Sequence, residues 1–156
     1  MNIKKIFAVG ALLMASIAFG QNKYKCLVQM KNYPGQGAYI AAYIVNGKGQ
    51  FVKTLQVMGD DERWYDSLKT WHNAQNKKAE KLDAITGASV SGGKRNIFTI
   101  QIDESLMNKG NKIRFESAVE HGEYVASELE IPLDKATIEE KVDGKGYIRF
   151  VKINSI

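Results

Sequence analysis

The stretch KLDAITGASVSGGK, residues 81–94, gathers an aspartate, hydroxyls at Thr86, Ser89 and Ser91, and glycines at 87, 92 and 93. Such residues build turns, because Asp, Ser and Thr bond to nearby backbone and Gly tolerates dihedrals other residues avoid. They could equally present one hydroxyl to the active site of another protein. Ser89 is the best placed for that, since Gly87 and Ala88 before it carry almost no side chain to obstruct an approaching catalyst. A hydroxyl is a poor nucleophile until a base takes its proton, and no His or Lys adjoins Ser89 in the sequence. The activating base must then belong to a visiting enzyme. No serine lies in a nucleophile-elbow pattern and no glycine-rich loop follows a strand in the dinucleotide-binding manner, so nothing reads as an independent hydrolase or dehydrogenase.

Other reactive side chains are few. His72 and His121 are the only histidines, and neither stands at a metal-ligand spacing from the other or from Cys26. His121, in EHGE, is expected at a hairpin turn, and His72 at the polar edge of an aromatic stripe. Cys26 lies in YKCLVQM, whose alternation turns it to the same side as Tyr24, Val28 and Met30, so a buried, inert thiol is expected. A single cysteine makes no internal disulfide, and the domain must rely on its core.

The N-terminus sets the compartment. MNIKK supplies a basic start, IFAVGALLMASIAF an apolar run too short for the roughly 20 residues of a spanning helix, and AFG a small-residue exit. These features predict a cleaved export signal over residues 1–20, no membrane span after cleavage and a periplasmic product over 21–156. Loss of Lys4 and Lys5 lowers the formal net charge of +5 by two. The basic runs NKKAEK and GGKRN are short and mixed with other residues, which argues against nucleic acid and suits solvated faces, with GGKRN open to an anionic ligand.

Seven runs show β-type alternation: residues 24–32, 38–46, 50–58, 96–103, 112–120, 123–131 and 147–153. Turn chemistry separates them at PGQG, NGKG, NKGN, HGE and DGKG. In KIRFESAVE, Ile113, Phe115 and Val119 alternate with Arg114, Glu116 and Glu120, which predicts a sheet with one wet face. The expected fold is mainly β: an immunoglobulin-like antiparallel β-sandwich of about seven strands, in one domain, with one inserted amphipathic helix. That helix is predicted over residues 61–79, capped by Asp60 or Asp61, with Trp64, Leu68, Trp71 and Gln75 on one buried stripe and Tyr65 and His72 beside it. Two indoles on a stripe anchor a helix to a sheet, and an exposed edge of such a cluster can also stack on a planar ring.

DAITGAS also resembles the flavinylation motif: an aspartate, two residues, Ser or Thr, Gly, Ala, then Ser or Thr. On that motif an extracytoplasmic flavin transferase attaches FMN through a phosphoester bond. In the FMN-binding domains of sodium-pumping and ion-translocating redox complexes the acceptor is the last hydroxyl, which maps to Ser89, with Asp83, Thr86, Gly87 and Ala88 as the recognition loop. The chain over roughly residues 24–133 is similar to a family of uncharacterised predicted periplasmic proteins, through YIAAYIVNGKGQFVKTL, LKTWHN, DAITGAS with its glycine pair, and FESAVEHGEY. Such proteins are often found with flavin transferases and membrane-embedded PepSY-type reductases, which implies electron movement outside the cytoplasm. Ser89 stands where that family usually has threonine, and QIDESLMNKG replaces its usual tryptophan-aspartate-glycine stretch. The resemblance implies a redox carrier or accessory protein with FMN on Ser89, and not an enzyme in its own right, and the exposed edge of the cluster of Trp64 and Trp71 is then the candidate surface for a planar ring. The alternative is a non-redox adaptor in which DAITGAS is a rigid turn.

Overall fold

A computed structural model describes residues 20–156; the expected signal segment lies outside the described residues apart from Gly20. The strands are β1 (Gln21–Met30), β2 (Tyr39–Val45), β3 (Phe51–Met58), β4 (Thr86–Gly87), β5 (Arg95–Asp103), β6 (Lys112–Ala118), β7 (Tyr124–Pro132), β8 (Val142–Asp143) and β9 (Ile148–Ser155). They form a four-stranded sheet ordered β5-β1-β9-β8 and a five-stranded sheet ordered β4-β3-β2-β6-β7, packed as a sandwich. All seven runs read from the sequence are strands. β4 and β8 are additions, each too short to show a period, and β4 pairs parallel to β3 where only antiparallel pairs were expected.

The core between the sheets collects alternate residues from both: Cys26, Val28 and Met30 of β1, Ile40, Ala42 and Ile44 of β2, and Ile113 and Phe115 of β6. Cys26 is fully buried, and burial pushes its thiol pKa up to about 12, so it stays protonated and inert. His121 sits in the β6–β7 turn in the left-handed region (φ 58°), as the HGE punctuation implied.

The expectation of one wet face fails on the five-stranded sheet. The other residues of β2, namely Ala41, Tyr43 and Val45, are buried as well, in a second cluster with Tyr65, Leu68 and Trp71. Helix α1 (Lys69–Lys78) lies over that face, so Glu116, which alternation assigned to solvent, is completely buried beneath it.

The helix itself is shorter than predicted. Asp61 caps the segment, accepting from the Arg63 N–H at 2.9 Å, but Glu62–Ser67 is a 3-10 helix and the chain breaks at Leu68 (φ −84°, ψ 70°) before α1 begins. A 3-10 helix advances three residues per turn instead of 3.6, which shifts the buried position by one residue. Tyr65 therefore takes the buried place expected for Trp64, whose exposure is 57%, while Leu68, Trp71 and Gln75 stay buried as read. Leu68 offers no side-chain cap. The Glu116 carboxylate replaces it, accepting from the N–H of Thr70 and of Trp71 at 3.0 Å each, so a strand caps the helix across the sheet.

Candidate functional site

The DAITGAS segment is held at both ends. Asp83–Ile85 form a 3-10 turn, Thr86 and Gly87 pair with Val57 and Met58 of β3, and Val90 makes two backbone bonds with Ala38 at 2.8 and 3.0 Å. Between these anchors Ala88 is exposed and Ser89 half-buried. Backbone pairing on either side fixes where Ser89 stands without enclosing it.

Two residues remote in sequence complete the position. The Ser89 N–H donates to the carboxylate of Asp60. Gly37 lies against the Ser89 side chain so closely that a Cβ built on it would stand 2.7 Å from Ser89 Oγ and 3.1 Å from Ser89 Cβ. Glycine at 37 is thus the cradle in which the hydroxyl sits. Gly37→Ala is expected to push the Ser89 side chain aside at a cost of about 1 kcal/mol in stability. Chemical denaturation checks this: a variant of unchanged stability contradicts it.

The glycine pair after the motif has a structural role. A Cβ on Gly92 would fall 2.1 Å from the Tyr33 carbonyl oxygen, and Gly93 adopts φ 73°, so part of the small-residue density serves a close backbone crossing.

Ser89 lies between two depressions. One, of about 210 Å³, is lined by Gly37, Tyr39, Asp60, Trp64, Ser89 and Val119 among others. The second, of about 450 Å³, is lined by Gly87, Ala88 and Ser89 together with Lys94, Arg95 and Ile97. Ser89 thus shares the first depression with Trp64 and the second with Gly87 and Ala88. Asp83 is directed elsewhere: it lines a separate depression with Glu62, His72 and Glu80. Trp71 is closed to an incoming ring: it is fully buried, its Nε1–H is donated to Thr54 Oγ1 at 2.8 Å and its ring packs edge-on against Tyr65 at 5.6 Å.

Sequence reasoning weighed Asp60 only as a helix cap and did not single out Gly37. Both act on Ser89 from far along the chain, Asp60 from 29 residues away, and no local pattern encodes such contacts. Lys94 and Arg95, in the GGKRN run, do line a depression at Ser89.

Fold and site together define a mainly β sandwich with a conformationally fixed, accessible serine at the rim of an aromatic groove. A family model described as predicted periplasmic protein (DUF2271) matches residues 21–150, and the chain belongs to that family. The description agrees with the periplasmic destination read from the N-terminal segment, and no helix among the described residues is long and apolar enough to cross a membrane. No curated protein and no solved structure matches the chain.

Proposed function

We propose that this protein is a periplasmic redox carrier or accessory that bears FMN on Ser89, loaded by a flavin transferase, and that it exchanges electrons with a membrane-embedded PepSY-type reductase. The observation that carries the reading is the setting of Ser89: a motif hydroxyl, backbone-anchored on both sides, beside an exposed Ala88 and in the space left by Gly37. The missing side chain at Gly37 leaves room for the Ser89 side chain itself, and Lys94 and Arg95 in the adjoining depression supply positive charge toward a phosphate.

In the loading step the Ser89 Oγ–P bond forms as the P–O bond of a flavin pyrophosphate donor breaks. The nucleoside monophosphate leaves, and the hydroxyl proton passes to a base of the transferase. The chain contributes position: Asp60 holds the Ser89 N–H, which fixes the backbone from which the hydroxyl projects. Bound FMN supplies one- and two-electron chemistry, and the protein supplies placement and shielding.

An adaptor reading draws on one feature, the edge strand β5, where Ile97 is 51% exposed and could meet an incoming strand. Variants separate the two. With the export signal intact and a flavin transferase co-expressed, Ser89→Ala is expected to abolish in-gel flavin fluorescence while moving stability by less than about 0.5 kcal/mol. Ser89→Thr is expected to retain the label. A parent that stays dark while a control carrier glows, or a Ser89→Ala variant that still glows, sinks the carrier reading.

A further inference from the structure

Trp64 is the largest exposed apolar side chain of the described residues, at 57%, and it is exposed because the 3-10 segment turns Tyr65 inward in its place. Exposing an indole forgoes the burial free energy that a side chain of this size would gain in a core. Trp64 and Ser89 line the same groove, whose lining includes the apolar residues Ala118 and Val119. At about 210 Å³ the groove is smaller than the roughly 300–1,000 Å³ that encloses a whole small-molecule ligand, so it suits a flat ring system laid against one wall and left open on its other face.

Charge divides the surroundings of Ser89. Asp60 and Glu120 line the Trp64 groove, whereas Lys94 and Arg95 line the depression on the other side. A phosphate is repelled from the first and drawn to the second, while an uncharged aromatic ring is free to enter the first. Resting on the reading that Ser89 carries FMN, we propose that the Trp64 groove is the stacking site of the isoalloxazine ring, with Lys94 and Arg95 neutralising the phosphate. Trp64 is then a cofactor-positioning residue, and the indole face is the wall on which the ring lies.

The test uses the full exported chain, co-expressed with a flavin transferase and purified from the periplasm. Intact mass reports attachment, and flavin fluorescence per attached flavin reports stacking, because an indole in contact quenches the flavin. Trp64→Ala is expected to keep the adduct mass and to brighten the flavin severalfold, with Trp64→Phe between it and the parent. Ile156→Ala, an exposed apolar side chain in a depression that does not include Ser89, is expected to leave the brightness unchanged. A Trp64→Ala protein as dim as the parent, or equal brightening on Ile156→Ala, overturns the stacking site. If the parent carries no adduct, the Ser89 reading fails by itself, and the groove is tested by titrating unmodified protein with free riboflavin. Quenching of protein fluorescence that disappears in Trp64→Ala supports the ring site, and no quenching in the parent overturns it.

Discussion

Trp71→Ala is expected to cost about 3–5 kcal/mol of stability, the range for removing a buried tryptophan. Trp71 is 0% exposed and lies at the centre of the cluster that joins α1 to the outer face of the five-stranded sheet, among Tyr43, Val57, Tyr65 and Leu68. Its loss opens a cavity in that layer and removes a hydrogen-bond chain. The indole N–H donates to Thr54 Oγ1, and that hydroxyl donates onward to Glu80 Oε2 at 2.5 Å, tying β3 to the segment just beyond the helix. Urea denaturation measures the effect, provided the slope against denaturant is unchanged. A loss below about 1 kcal/mol would mean that the helix is not held by this ring.

Glu116→Ala is expected to cost about 3 kcal/mol or more, because four donors lose the carboxylate at once, of which the Thr70 N–H keeps a second acceptor in the Tyr124 hydroxyl at 3.1 Å. Oε1 accepts from the Thr70 N–H at 3.0 Å and the Tyr124 hydroxyl at 2.8 Å, and Oε2 from the Trp71 N–H at 3.0 Å and the Tyr43 hydroxyl at 2.9 Å. Glu116→Gln keeps the shape and separates charge from packing. Burial raises the Glu116 pKa, and the hydrogen bonds from Tyr124, Tyr43, Trp71 and Thr70 offset only part of that rise. A raised folded-state pKa means that the folded protein holds the proton more tightly than the unfolded chain. The stabilisation is fully present below the unfolded carboxyl value, about 4.3, and is lost as pH rises through the folded pKa. The parent should therefore gain stability relative to Glu116→Gln on acidification from neutral pH to about pH 4. Denaturation midpoints of both proteins at the two pH values check the sign, and a relative loss by the parent contradicts it.

Local pattern carried the strands well and the long-range contacts poorly. The seven longer strands were legible because alternation and turn residues are properties of neighbouring positions, as in β1, where Tyr24, Cys26, Val28 and Met30 all face the core. The break at Leu68 was hidden, since it depends on Glu116 offering a cap from 46 residues along the chain to Thr70. Glu116 looked like a solvent residue for the same reason: alternation assigns a face but cannot tell what covers it. One signal was present, because the unbroken apolar run YIAAYIV of β2 is what a strand buried on both faces looks like. At the site, the exposure of Ala88 was legible from turn chemistry. The contacts of Asp60 and Gly37 with Ser89 were not, because they arise only when the strand edges and the loop after α1 are brought together.

The intact mass of the protein purified from its own periplasm tests the carrier proposal most directly. The account predicts a mature chain bearing one FMN in phosphoester linkage, with the added mass on the peptide that contains Ser89. An unmodified mass, from cells in which another carrier of the same motif is flavinylated, would contradict it.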